Sequence, residues 1–100
     1  MIEQELQKEI IDYLRLNGWF VIKNNLGGIP TKRGLVKNQS SGLADLTCLK
    51  DGIVIMCEIK TPDGRQSQNQ KEFQQEWEEY GGIYFLVHSL DEAIDFFKEV

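Results

Sequence analysis

Residues 42–60 read GLADLTCLKDGIVIMCEIK. Two apolar and β-branched runs flank the short segment KDG, which is typical of a β-hairpin turn. Side chains alternate along a strand, so Glu58 and Lys60 are expected on one face and Ile59 on the other. Asp45 lies near the start of the first strand, and the hairpin is expected to bring its carboxylate close to Glu58. The sequence therefore predicts two adjacent antiparallel strands that carry two carboxylates and one ammonium group.

Charged side chains on strands suited to burial are costly unless something compensates them. A divalent ion such as Mg²⁺ takes oxygen ligands and commonly uses one or two carboxylates. Asp45 and Glu58 are the candidate ligands, with the backbone carbonyl of Ile59 as a further one. Lys60 would orient or deprotonate the attacking water and stabilise charge on a phosphate. The structural alternative is a strand-end ion pair between Glu58 and Lys60, with Asp45 capping a turn.

The pattern D-x(12)-E-x-K on this hairpin, followed by TPDGRQSQNQ at 61–70, resembles the PD-(D/E)XK nucleases and, among them, the VRR-NUC family. The resemblance covers essentially the whole chain and rests on Gly42, Asp45, Glu58, Lys60, Thr61, Gly64, Ser67 and Gln70. The chain departs from the signature in having Ala44, and not proline, before Asp45; the proline is not a ligand. The resemblance implies one restriction-endonuclease-like α/β domain over residues 1–100. Its central mixed four-stranded sheet would be flanked by helices in the order α-β-β-β-α-β-α.

The chain of 100 residues is long enough for one domain with a modest core. Its net charge of −5 is unevenly distributed: residues 72–100 carry eight acids against one lysine, whereas residues 19–71 carry eight bases against four acids. The basic charge surrounds the predicted site, which supports a phosphate-containing partner. No apolar run is long enough for a membrane span, and the N-terminus lacks the basic region of a signal peptide. Cys48 and Cys57 are predicted to be buried free thiols, which favours a cytoplasmic protein.

Residues 3–17 have the apolar periodicity of an amphipathic helix, with a stop signal at Asn17-Gly18. Glu3 and Gln7 fall within or beside its apolar stripe. The resemblance places an acidic residue and then a glutamine on this helix, so it implies Glu3 as a further metal ligand and Gln7 as a catalytic-site residue. A favourable charge at the helix N-terminus is the alternative for Glu3.

A strand is predicted at 19–23, followed by a loop at 24–34 that is rich in glycine. Basic residues in and around this loop are candidates for contacts with nucleic acid, although surface lysines are often only solvated. The predicted nucleic-acid-binding residues are Lys23, Lys32, Arg33, Lys37, Arg65 and Ser67.

Ser67 and Gln70 have the spacing of a capping box for the second helix, which explains both residues structurally. Helical phase nevertheless turns Gln70 toward the sheet, and the resemblance implies that it supports the catalytic site. A buried strand at 83–87 is predicted to pair in parallel with the Glu58 strand, and a last helix is predicted to run to Val100. His88, at a strand end, either contacts phosphate or is structural.

The resemblance implies an endonuclease that hydrolyses DNA with Mg²⁺ or Mn²⁺ and needs no small-molecule cofactor. Stand-alone members resemble Holliday-junction resolvases of bacteria and phages, which cut branched DNA as homodimers. Apolar residues available for a dimer interface, or for completing a small core, are Trp19, Ile29, Leu35 and Phe96. The alternatives are a nucleic-acid-binding module without turnover, a flap- or single-strand-directed nuclease, and a structural domain of a protein complex.

Overall fold

The computed structural model describes residues 2–24, 29–31, 34–36 and 42–100, and the side chains of 2–24 and 42–100. The elements in chain order are α1 (Glu3–Leu16), β1 (Phe20–Lys23), β2 (Ile29–Thr31), β3 (Gly34–Val36), β4 (Leu46–Lys50), β5 (Ile53–Ile59), α2 (Gln68–Glu79), β6 (Ile83–Val87) and α3 (Leu90–Phe97).

The main sheet has the strand order β1-β4-β5-β6. β4 and β5 form the predicted antiparallel hairpin. Its two-residue turn has positive φ at both positions, 52° at Asp51 and 80° at Gly52, as a type I′ turn requires. β1 pairs antiparallel with β4, and β6 pairs in parallel with β5 after the crossover through α2. The predicted mixed four-stranded sheet and its α-β-β-β-α-β-α order are confirmed.

The prediction of a loop over 24–34 is wrong for part of that segment, because β2 and β3 form a separate antiparallel hairpin. Glycine and proline marked the segment as irregular, yet Pro30 lies in β2, opposite Leu35. A proline is tolerated in such an edge strand because its missing amide need not serve the ladder.

The larger apolar core lies between the sheet and the helices α1 and α3. Alternate residues of β5 point into it, among them Ile55, Cys57 and Ile59, all fully buried. Two residues considered for a dimer interface belong to this core. Trp19 packs edge-on against Phe97 at 5.1 Å between ring centroids, and Phe96 stacks on Phe85 at 4.0 Å. The side chains of the other two candidates, Ile29 and Leu35, lie outside the described residues.

The smaller core lies under α2, on the opposite face of the sheet. It contains Ala44, Met56 and Tyr84, with Phe73 and Trp77 of α2 packed against them. Met56 and Glu58 share this face because they alternate with the residues of the larger core. Glu58 is therefore directed toward the side of the sheet that α2 covers.

The helix ends follow local rules, with one correction. Ser67 and Gln70 form the predicted capping box of α2, and Ser89 caps α3 by accepting from the amide of Glu92. α3 ends at Phe97 and does not reach Val100. Within the described part of the chain, none of the helices is long and apolar enough to cross a membrane.

Candidate metal centre

Glu58 is the most deeply buried charged side chain of the described residues, with no solvent exposure. It lies near the C-terminal end of β5, where the neighbouring positions Cys57 and Ile59 fill the larger core. Neither Oε1 nor Oε2 of Glu58 has a hydrogen-bond partner in the described structure. A buried carboxylate without hydrogen-bond donors lowers the stability of the folded state, so Glu58 requires a proton or a cation.

Asp45 lies beside Glu58, immediately before β4, and is held there by the backbone. Its Oδ2 accepts a hydrogen bond from the amide of Ile59 at 2.8 Å. Its own carbonyl accepts from the amide of Asn24 at 2.8 Å. The hairpin thus brings the two carboxylates together. Ile59 contacts Asp45 through its amide; a ligand role for its carbonyl stays a prediction.

Glu3 completes a cluster of three carboxylates with Asp45 and Glu58. One oxygen of each lies within 4.8 Å of the others. Glu3 comes from the first turn of α1 and is half-buried, so three separate segments of the chain converge on this point. Three hard oxygen donors at such spacing suit Mg²⁺ or Mn²⁺, and the two orphan oxygens of Glu58 supply ligands that no proton donor occupies.

The electrostatics of the cluster favour uptake of positive charge. The pKa of Glu58 is raised from 4.5 to about 9, first by burial and then by the neighbouring carboxyl group of Asp45 and its negative charge. Glu3 raises this pKa further, and only the charge of Lys60 opposes the shift. Without a cation, Glu58 therefore holds a proton at neutral pH.

Lys60 follows β5 directly and is half-buried. Its amide donates to the carbonyl of Val87 at 3.0 Å, which fixes the backbone next to the cluster. The alternative of a structural ion pair between Lys60 and Glu58 is not supported. The ion pairs of the described residues are Lys8–Asp12, His88–Glu92 and Lys98–Asp95.

Gln70, in the first turn of α2, is at 8% exposure the buried residue of that helix. Its Oε1 accepts from the amide of Ser67 at 2.8 Å, and Ser67 Oγ accepts from the amide of Gln70. Gly42 lies against this turn so closely that a Cβ there would collide with the carbonyl of Asn69. The capping function is therefore established by the contacts, whereas a catalytic role for Gln70 stays a prediction.

Gln7 is half-buried one turn after Glu3. Both line a cavity of about 370 Å³ together with Ile2 and Gln4. Gln7 thus shares an open surface with one member of the carboxylate cluster, and its role at the catalytic site stays a prediction.

The predicted nucleic-acid contacts fall into two groups. Lys23, Arg65 and Ser67 are exposed. Lys32, Arg33 and Lys37 lie outside the described residues, and their contacts stay predictions. His88 has a structural partner: its Nδ1 lies 3.5 Å from Glu92 Oε1, which also accepts from the His88 amide.

Two polar braces near the cluster were missed by the sequence reasoning. Asn24 Nδ2 donates to the carbonyl of Ala44 at 2.9 Å and contacts Thr47 Oγ1 at 3.0 Å, fixing the chain on both sides of Asp45. Its position next to a glycine-rich segment suggested only a turn, so the sequence contains no signal for this brace.

The second brace joins the segment after Lys60 to the sheet. Gln66 Nε2 donates to Tyr84 Oη at 3.1 Å and to Gln74 Oε1 at 3.0 Å. Burial, and then the charge of Glu58, raises the pKa of Tyr84, so its hydroxyl stays neutral. The apolar run at 83–87 gave no reason to expect a polar contact there.

Both cysteines are buried free thiols, as predicted. Burial raises the pKa of Cys48 to about 12 and that of Cys57 well above its usual value. Burial therefore disfavours the reactive thiolate form of both cysteines at neutral pH.

No family model and no curated protein sequence matches the chain. Among solved structures, one described as a VRR_NUC domain superimposes with a TM-score of 0.73 at 18% sequence identity. The match covers 96% of this chain and 94% of that structure. The fold is therefore that of a VRR_NUC domain, as the motif resemblance implied, and the chain has a nuclease fold.

Proposed function

We propose that this protein is a deoxyribonuclease that hydrolyses phosphodiester bonds of DNA with a bound Mg²⁺ or Mn²⁺. The observation that carries the proposal is the buried Glu58, whose two orphan oxygens lie beside Asp45 and Glu3 in a nuclease fold. A purely structural domain would gain stability by replacing Glu58 with an apolar or neutral residue. The loss of stability caused by the buried Glu58 carboxylate is explained if that carboxylate binds a metal ion.

Asp45 and Glu58 are the proposed ligands, with Glu3 and the carbonyl of Ile59 as additional oxygen donors. The bound ion would supply positive charge against the scissile phosphate and lower the pKa of a coordinated water. Asp45 is oriented for ligation because one of its oxygens is fixed by the Ile59 amide. The other carboxylate oxygen of Asp45, Oδ1, can then bind the proposed metal ion.

Lys60 has the role of orienting or deprotonating the attacking water and of stabilising negative charge on the phosphate. Its side chain starts next to Glu58, and its backbone is held by β6, so little reorganisation is needed. Gln7 of α1 and Gln70 of α2 are proposed to position substrate or water. Lys23, Arg65 and Ser67, with Lys32, Arg33 and Lys37, are the proposed contacts to DNA.

A cleavage assay tests this proposal. Purified protein is incubated with linear, flapped and four-way-junction DNA in Mg²⁺, Mn²⁺ or EDTA. We expect cleavage with either metal, none in EDTA, and at least about a hundredfold slower cleavage by Lys60→Arg, because a guanidinium differs in shape and does not release its proton. Lys71→Arg, at an exposed position on α2, is the matched control and should cut normally.

DNA that stays intact under all metal conditions, while the protein still binds it, would favour the alternative of a binding module without turnover. Full activity of Lys60→Arg would restrict Lys60 to a charge partner of Glu58.

We further propose a homodimer that resolves four-way junctions. Such a junction has near-twofold symmetry, and paired nicks on opposed strands need two catalytic sites in a fixed relation. The described residues of one chain supply one carboxylate cluster. Light scattering should give twice the chain mass of 11.6 kDa. A monomer that cuts flaps or single strands in preference to junctions would contradict the homodimer proposal and favour a flap- or single-strand-directed nuclease.

A further inference from the structure

The surface of α1 carries a groove that continues away from the carboxylate cluster. The cavity beside Glu3 adjoins a second one of about 480 Å³, and Gln4 and Gln7 line both. The polar residues that line the second cavity are Gln4, Gln7, Lys8, Asp12, Arg15 and Lys23. We propose that this α1 groove binds the phosphate backbone of the DNA strand that enters the cluster. The inference rests on the proposed nuclease function and specifies how the substrate is held.

Helical periodicity explains the first wall of the groove. Gln4, Gln7, Ile11 and Arg15 recur at intervals of three or four residues, so their side chains lie along one face of α1. Glu3 immediately precedes this row. The groove therefore starts at the cluster and follows the helix axis.

The second wall comes from the end of β1. Lys23 is exposed and pairs in register with Leu46, the residue after Asp45. The backbone amide of the next residue, Asn24, donates to the Asp45 carbonyl, so the backbone at Lys23 is held close to the cluster as well. Both walls of the α1 groove thus approach the same carboxylates.

The charge of the groove contrasts with that of the chain. Three cations and one carboxylate line the second cavity, whereas the chain has a net charge of −5. The single acid, Asp12, forms an ion pair with Lys8 at 3.3 Å, with both side chains more than half exposed. Such an exposed pair contributes little, so Lys8 can exchange Asp12 for a phosphate at small cost.

Arg15 is already oriented toward the groove. Its Nη2 donates to the carbonyl of Val21 at 3.4 Å, which ties the guanidinium between α1 and β1. A guanidinium has five N–H donors, so one such contact leaves others for phosphate oxygens. The amides of Gln4 and Gln7 can donate to phosphate or sugar oxygens in the same way.

These contacts fit a phosphodiester backbone better than an acidic peptide. A peptide carboxylate following the groove would meet three further carboxylates at its end, whereas a phosphate there would share the proposed metal ion. Backbone contacts carry no base information, so binding in the α1 groove should not depend on DNA sequence.

Fluorescence anisotropy with labelled duplex and single-stranded DNA tests the groove, in EDTA so that no strand is cut, over a series of KCl concentrations. Arg15→Gln and Lys23→Gln should each weaken binding by about three- to tenfold and reduce the salt slope by about 1. Asp12→Asn should tighten binding. Lys98→Gln, at the residue that follows α3 and pairs with Asp95, is the control and should match the wild type.

In cleavage assays the two groove variants should raise KM and leave kcat unchanged, because neither residue belongs to the carboxylate cluster. Affinities and salt slopes equal to those of Lys98→Gln would overturn the α1 groove while leaving the nuclease proposal intact. A wild type that binds DNA through the groove residues but never cuts it would overturn the nuclease proposal alone.

Discussion

Glu58 occupies a position where the sheet would otherwise be apolar. Its chain neighbours Cys57 and Ile59 are fully buried on one face, and Met56 is buried on its own face. A strongly shifted pKa in a buried carboxylate near two other acids is a common feature of functional sites. The buried carboxylate of Glu58 lowers the stability of the fold and is a potential metal ligand.

Glu58→Gln should therefore stabilise the metal-free protein. At pH 8 the folded protein must hold on Glu58 a proton that the unfolded chain has released. The neutral amide needs no such proton and can donate to Asp45, so the free energy of unfolding at pH 8 should rise by about 1–3 kcal/mol. Urea or thermal unfolding in EDTA measures this change. The same variant should lose any stabilisation by Mn²⁺, and a less stable Glu58→Gln would contradict the described environment of this residue.

The pH dependence of stability gives a second check on Glu58. Its folded-state pKa of about 9 lies above the ordinary value of 4.5, so between these values the folded protein holds a proton that the unfolded chain has released. This contribution to stability is complete below pH 4.5 and is lost as pH rises toward 9. Metal-free protein should become less stable from pH 6 to 9, and Glu58→Gln should show a smaller decrease.

Glu3 can be tested against a neighbour of the same chemistry. Glu3 and Glu5 both lie in the first turn of α1, but only Glu3 belongs to the carboxylate cluster. Glu3→Gln should weaken Mn²⁺ binding about tenfold or more, in the range seen when groups around a metal are removed, whereas Glu5→Gln should not. Isothermal titration calorimetry compares them. Equal affinities would reduce Glu3 to a charge at the helix N-terminus.

At the level of elements, the β4–β5 hairpin was predictable because its signals are local. Alternating side chains and the Asp51-Gly52 turn fix the strand register, and the register brings Asp45 to Glu58. The capping box of α2 is equally local, since Ser67 and Gln70 are three residues apart. These local rules gave the centre of the sheet and two of the three clustered carboxylates.

The contacts that the sequence did not reveal join distant positions. The sequence left open whether Phe96 belongs to a dimer interface or to the core; it stacks on Phe85, a contact that depends on how α3 lies over β6. Gln66 and Tyr84 are 18 positions apart, and their hydrogen bond requires the α2 crossover to be in place. Such pairs depend on tertiary packing, for which periodicity carries no signal.

Tyr84→Phe tests the brace between β6 and the segment after Lys60. Loss of the hydroxyl removes the 3.1 Å contact with Gln66 and should lower the free energy of unfolding by about 1 kcal/mol. Hydrogen exchange of amides 64–67 should become faster, because this segment is then held by fewer side chains. Tyr80→Phe, at an 87% exposed position that caps the C-terminus of α2, should change neither quantity. Unchanged exchange in Tyr84→Phe would show that the capping box alone fixes the segment.

In the whole molecule, the two faces of the sheet differ in what they contribute. Its α1–α3 face holds the larger apolar core, and its α2 face presents Glu58. The cluster lies where α1, the chain before β4 and the end of β5 meet, so stability from the core positions three carboxylates that would otherwise repel one another. This junction is where we propose that a divalent cation binds.

A crystal soaked in millimolar Mn²⁺ tests that claim most directly through its anomalous difference density. We predict a peak bonded to carboxylate oxygens of Asp45 and Glu58, with Glu3 adjacent, and its absence in a crystal of Asp45→Ala. Density elsewhere on the surface only, or a Glu58 carboxylate bonded to Lys60 with no ion between the clustered acids, would contradict the account.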